Sequence, residues 1–348
     1  MSEKRVRIGI SGLGWFAPVL ANAMRKSSKT ELVTCFTRTP KKRTAFSQRY
    51  ACGEDESFEA MVRRDDVDAV VLVTPNAVHR EQAELAAHHG KHVFVVKPIA
   101  NTLEDGHRMI DACRQAGVVL MVAHVARRHA GNRMAKKLLE SGALGKPMLV
   151  EANVSSDQGV GLVPEEFRWR GDDLGCPAGP LMTMGVHHAD TLNYLFGPVK
   201  SVFSVFARRH IAAPVPDVTT TVLHFESGVL GYLGSTFASP RTNWLHIYGT
   251  EANLVRTWVD PDRNAAPERR RSVDENTRLE LIRAAGGAEA VDLPIGDPML
   301  EQIDEFADCV REGRKPETDG ESSMRALAVI RAAIESAQAG RPADVRTS

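Results

Sequence analysis

No stretch of this 348-residue chain approaches the roughly 20 consecutive apolar residues that a membrane-spanning helix requires. The opening MSEKRVRIGI is charged and runs straight into an apolar strand, so a secretory signal is not expected. The chain has no C-x-x-C and no metal-ligand spacing: its five cysteines, Cys35, Cys52, Cys113, Cys176 and Cys309, are scattered. That pattern fits free thiols in a reducing cytoplasm. Nor is there an excess of either charge. Lys and Arg total 44, as do Asp and Glu, which argues against a nucleic-acid or anionic-membrane partner. No internal repeat is visible, and the expected partner is a small molecule.

What is present is ordinary for a globular protein, 43% apolar and 25% charged, in a chain longer than one core usually serves. The first third alternates strands (VRIGIS, ELVTCFT, AVVLVT, HVFVV, VVLMVAH) with helices (PVLANAMRKS, TAFSQRY, FEAMVRR, REQAELAAHHG, LEDGHRMIDACRQAG). Near-continuous apolar strands alternating with helices predict a doubly wound, Rossmann-like parallel sheet over residues 1–123. After His124 a helix, RMAKKLLESGALG, precedes six strand-like segments joined by short turns, with Ser227-Gly228 suited to a tight hairpin. Successive strands predict an antiparallel sheet and an α+β second domain over 124–348. The polar DRNAAPERRRSVDENTR reads as a surface loop, and two helices, MLEQIDEFADCVREG and SSMRALAVIRAAIESAQAG, close the chain.

IGISGLGWFA places Gly12, Gly14 and Ala17 in a G-x-G-x-x-A spacing, with Leu13, Trp15 and Phe16 between them. Gly12 permits the tight turn, Gly14 lets the backbone approach a pyrophosphate, and Ala17 lets helix and strand pack. The second strand ends CFTRTPKKR, with no acid for a ribose 2′-hydroxyl but with Thr37, Arg38, Lys41, Lys42 and Arg43. A hydroxyl and a guanidinium suit a 2′-phosphate, so NADP(H) is favoured, with NAD(H) possible. A buried strand then ends VFVVKPIA, so that Lys97 leaves the sheet immediately before Pro98.

The ordered set TPNAVHREQAELAAHHGKHVFVVKP, SGALGKPMLV, FRWRG, GPLMTMGVHHADTLNYLFG and EFADCVREGRKPETDGESSMRAL resembles the Gfo/Idh/MocA oxidoreductase family over nearly the whole chain. The resemblance implies a nucleotide domain followed by a domain with a large, mostly antiparallel sheet. It also implies a homodimer or homotetramer. It places Thr74, Pro75, Asn76, His79, Lys97, Pro98, Trp169 and Arg170 in cofactor-binding stretches. It sets the Lys97 ammonium beside nicotinamide and substrate, and makes His187 the second catalytic position. The family aspartate four residues before that histidine is Thr183 here, and the glutamate before the lysine is Val96.

A desolvated ammonium at Lys97 would stabilise charge on a substrate oxygen as hydride moves. His187 has the side-chain type best suited to proton transfer near neutral pH. Thr183 shares its helical face, where it orients the ring or binds a substrate hydroxyl. His188 faces elsewhere and packs or meets solvent. His124 and Arg127 follow the VVLMV strand, where open α/β sheets place ligands, and with Arg128, Arg168 and Arg170 they favour an acidic substrate. The expected activity is NADP(H)-dependent hydride transfer at a hydroxyl or carbonyl carbon of a sugar, cyclitol or cyclic, carboxylated or neutral dihydrodiol. A nucleotide-retaining hydrolase or lyase working through transient oxidation, and a non-catalytic nucleotide-binding regulator, remain open at this level.

Overall fold

The computed structural model describes residues 4–161, 171, 175–258 and 272–347. The chain forms two compact units, Met1–Val125 with Pro298–Met324, and Ala126–Asp297 with Arg325–Ser348. The sequence pattern suggested one boundary at 123/124. The break falls two residues later, and a second segment near the C-terminus returns to the first unit. The periodicity of that segment announces a helix with one apolar face, but not the core that face joins.

In the first unit, strands β1 (Val6–Ser11), β2 (Thr30–Phe36), β3 (Gly53–Glu54), β4 (Ala69–Leu72), β5 (His92–Val96) and β6 (Leu120–Ala123) make a parallel sheet in the order β3-β2-β1-β4-β5-β6. This is the doubly wound order, in which ligands sit beyond the carboxyl ends of the strands. Ile8, Ile10, Val71, Phe94 and Met121 are buried in the layer they share with helix α1 (Ala17–Lys26). Helices α2 (Pro40–Tyr50), α3 (Phe58–Val62), α4 (His79–His88) and α5 (Leu103–Gln115) complete the crossovers. The returning helix, α8 (Pro298–Glu312), adds Ile303, Phe306 and Ala307 to the same core, with the Phe306 ring edge-on to Phe94 at 5.4 Å. Lys29 pairs with Asp308 at 2.7 Å and pins α8 in place.

In the second unit, helix α6 (Ala130–Glu140) precedes strand β7 (Pro147–Ser155), helix α7 (Val186–Phe196) and strands β8 (Val199–Ala207), β9 (Val218–Phe225), β10 (Leu230–Thr236), β11 (Thr242–Gly249) and β12 (Ala252–Trp258). Strands β13 (Thr277–Arg283), β14 (Ala288–Ala290) and β15 (Ala343–Asp344) were not expected from the sequence. The nine strands form one sheet, β14-β13-β12-β11-β7-β10-β9-β8-β15, antiparallel except where β10 meets β7. Gly228, at φ +85°, turns the β9–β10 hairpin as its position predicted. One sheet face buries Val150, Leu233, Leu245, Ile247 and Leu254 against α7 and helix α9 (Gly320–Ala339). The other leaves Phe203, Val205, Val222 and Leu230 exposed. The expected loop at 262–278 lies largely outside the described residues, and its last two residues begin β13.

Candidate active site

The turn after β1 is shaped by its glycines. Gly12 adopts φ +90°, and a Cβ there would lie 2.5 Å from Val73 O, so only glycine fits. Gly14 has nothing within 4 Å of where its Cβ would stand, which leaves open space above the backbone. Ala17 is fully buried and lets α1 close on the sheet. Helices α3 and α5 start under side-chain caps, where Ser57 accepts from Ala60 N–H and Thr102 from Asp105 N–H. Helix α1 has no such side-chain cap and no acid in its first turn, so no carboxylate opposes an anion at its positive end. Leu13 and Phe16 pack against the core, whereas Trp15 is 68% exposed.

The turn after β4 is braced from below. Thr74 Oγ1 donates to Gln82 Oε1 at 2.9 Å, and Gln82 Nε2 donates to Ser11 Oγ at 3.0 Å. His79 is fully buried, with Nδ1 3.1 Å from Ile99 O and Nε2 2.9 Å from Thr74 O. Burial outweighs the backbone carbonyls and pushes its pKa down, so the neutral ring donates its single proton to one of these two oxygens where the Thr74 turn meets the segment after Pro98. His79 therefore shapes the cofactor turns from inside rather than lining them. Gln82, one helical turn after His79, belongs to the same brace and was not picked out by its sequence position. Asn76 is 4% exposed, and its Nδ2 is buried with no acceptor. That orphaned donor, the open glycine turn and the uncapped helix together fit a dinucleotide.

Beyond β2, Arg38 and Lys42 are exposed and Thr37 is partly so. Neighbouring Arg43 is engaged with Thr37 O and Glu54, which leaves Arg38, with Lys41 and Lys42, as the exposed cations at this strand end. Lys97, partly buried, follows β5, and the Lys97–Pro98 peptide is cis. His124, 1% exposed, follows β6. The structure thus gathers the first unit's candidates along one strand-end row. Trp169 and Arg170, with Arg168, lie outside the described residues.

In the second unit, Leu181–Gly185 forms a turn of π-helix leading into α7, an irregularity common at functional sites. Thr183 Oγ1 donates back to Gly179 O at 3.2 Å. His187 is partly exposed and His188 is buried, so the two point apart as expected. Arg127 is 6% exposed and doubly bonded to Asp190, Nε to Oδ2 at 2.8 Å and Nη2 to Oδ1 at 2.6 Å. The guanidinium expected to meet a substrate carboxylate is thus committed to the protein's own.

Sequence reasoning passed over a second polar cluster beneath α7. His188 Nε2 donates to Asn243 Oδ1 (3.0 Å) and Asn153 O (3.2 Å), and Arg256 Nη2 donates to the same Asn243 oxygen at 2.8 Å. Burial first, then the Arg256 charge, pushes the His188 pKa down to about 3. Its unfolded value is the higher one, so the stability it carries is complete above pH ~6.5 and is lost as pH falls toward 3. We expect a loss of roughly 2 to 3 kcal/mol between pH 6.5 and 4.5 from this one group. His188→Gln should flatten that slope in thermal melts across pH, and an unchanged slope would remove His188 from the account.

The first unit has the fold and the anion-ready turn of a nicotinamide-dinucleotide-binding protein. The family models agree: residues 6–124 match the oxidoreductase family's NAD-binding Rossmann fold and residues 136–345 its C-terminal alpha/beta domain. The chain belongs to the Gfo/Idh/MocA oxidoreductase family and is an NAD(P)-dependent oxidoreductase. It is 28% identical to a 1,5-anhydro-D-fructose reductase of Ensifer adhaerens, over 98% of this chain and 99% of that one. It is 27% identical to a D-xylose 1-dehydrogenase [NADP(+)] of Haloarcula marismortui, over 81% and 76%. A crystal structure from Desulfitobacterium hafniense, named provisionally as an NADPH-dependent oxidoreductase, superposes with a TM-score of 0.92 at 34% identity over 98% of both chains.

Proposed function

We propose that the protein transfers hydride between NADP(H) and a hydroxyl or carbonyl carbon of a sugar, cyclitol or cyclic dihydrodiol, in the cytoplasm and as a homodimer or homotetramer. The observation that carries this reading is the row of groups along the strand ends of the first unit: the open Gly12–Gly14 turn, the orphaned Asn76 amide, Lys97 and the exposed Arg38. Relatives named for sugar chemistry support the substrate class, and the exposed apolar strip Phe203, Val205, Val222 and Leu230 supports self-association.

The nicotinamide, when bound, supplies or accepts the hydride. Lys97 donates a hydrogen bond to the substrate oxygen and steadies the negative charge that grows there. His187 takes or returns the hydroxyl proton through its imidazole. Residue 183, an aspartate by the family pattern, is a neutral threonine here, so it offers the imidazolium no negative charge. Absorbance of the reduced nicotinamide, followed across a panel of aldoses, anhydrosugars, cyclitols and cyclic diols in both directions, tests the reading. A folded, cofactor-saturated protein silent on all of them would sink it.

Cofactor choice has its own test. Arg38→Ala removes the exposed guanidinium and should weaken NADP(H) binding by roughly 10-fold while leaving NAD(H) nearly unchanged. Fluorescence titration of both nucleotides decides it, and equal losses would refute the 2′-phosphate assignment.

A further inference from the structure

Arg256 is a charge the second unit does not account for. It occupies an inward position of β12, between Leu254 and Trp258, and is 3% exposed. Among the described residues it makes no ion pair. Its printed hydrogen bond is to an uncharged amide, Asn243 Oδ1, and its Nε is buried with no acceptor. Burial alone pushes its pKa down, to about 10, with no carboxylate opposing the shift, so it remains charged near neutral pH. The buried Arg127 of the same unit shows the usual arrangement, paired in two places with Asp190. Asp274 accepts from Ala130 N–H at the start of α6 and makes no ion pair with Arg256.

Asn243 and Trp258, the partly exposed members of the cluster, add donors beside the guanidinium. Trp258, two residues along the same strand face, has its indole Nε1 buried with no acceptor. Asn243 lies directly opposite Trp258 in the β11–β12 ladder. Its Oδ1 already accepts from Arg256 and His188, so what the amide still offers is its N–H₂. His188 stays neutral and adds no second cation. Gly131 in α6 gives the arginine stem room: a Cβ there would lie 3.1 Å from Arg256 Cδ. An uncompensated buried guanidinium costs several kcal/mol, and an apolar side chain of similar volume would usually serve stability better. Asn243 and Trp258 are both partly exposed, which marks the side from which the cluster can be reached, and His188 joins it to the turn of α7 that bears His187.

We infer that Arg256, Asn243 and Trp258 receive the carboxylate of an acidic substrate, so that the sugar or cyclitol acted on is an aldonate, a uronate or a carboxylated cyclic diol. This rests on the oxidoreductase reading above and names the substrate class for it. One guanidinium balances one carboxylate, whereas a phosphate dianion would leave net negative charge in a buried site.

Calorimetry with D-glucuronate, D-gluconate, D-glucose and D-glucose 6-phosphate, in the presence of NADP+, tests the assignment, with hydride transfer measured on the same set. The wild type should bind the carboxylates at least 10-fold more tightly than glucose. Asn243→Asp sets an internal carboxylate beside Arg256 and should abolish that preference while the melting temperature holds or rises. Arg256→Gln should abolish it too, and if that variant does not fold, Asn243→Asp decides alone. Acid binding that Asn243→Asp removes, even without turnover, supports the carboxylate site and counts against the oxidoreductase reading. Turnover of neutral and acidic sugars alike, no binding of either acid, a preference for the phosphate, or a preference that survives Asn243→Asp would each overturn the inference.

Discussion

Lys97→Met should bind nicotinamide nucleotide normally and lose turnover by about 10²-fold or more, the scale of removing one preorganised donor from a developing oxyanion. Methionine keeps the length and apolar stem of lysine and deletes only the charge. Lys97 leaves β5 at its carboxyl end, one strand away from the turn that Gly12 shapes, because β1 and β5 both flank β4. The groups proposed for the two phosphate ends of the nucleotide, the Gly12–Gly14 turn and Arg38, are on other strand ends, so binding and chemistry should separate. Stopped-flow hydride transfer and nucleotide fluorescence on the same preparation read the two independently. A folded Lys97→Met protein with near-normal turnover would reduce Lys97 to a lysine whose stem covers apolar surface.

His187→Gln should cost about 10²- to 10⁴-fold in turnover, the range for removing a general acid–base. It should also erase the pH–rate limb that the imidazole governs. His188→Gln is the matched control: it should lower stability yet keep a limb near neutrality, because burial and Arg256 hold the His188 pKa at about 3. A limb that vanished with His188 and survived the loss of His187 would reverse the two roles.

The cofactor side of this protein was legible because its signals are local. A glycine at φ +90° in a strand–turn–helix is a property of a few adjacent residues, and a doubly wound parallel sheet follows from apolar runs separated by helices. His79 was legible as a landmark but not as a buried brace, since its partners Thr74 O and Ile99 O meet only when two strand-end turns are brought together. Arg127 misled for the same reason: Asp190 is 63 residues away and no spacing couples them. The Arg256 cluster left a fainter trace. In ANLVRTW the alternation makes Ala252, Leu254 and Arg256 inward, so a charge stands where period two demands an apolar residue. Its significance depends on its having no ion-pair partner among the described residues, which only the folded arrangement reveals.

The return of Pro298–Met324 to the first unit bears on how the protein is made. When a ribosome has finished β6, the sheet still lacks the helix whose Ile303 and Phe306 close it. About 190 further residues must be polymerised before that helix is complete, which at bacterial-to-eukaryotic elongation speeds takes roughly 10 to 40 s. Through that interval the nascent sheet presents the faces of Phe94 and its neighbours to whatever is nearby. Chaperones that hold exposed apolar surface have their opportunity then, and a chain released early, before residue 298, would keep that surface uncovered.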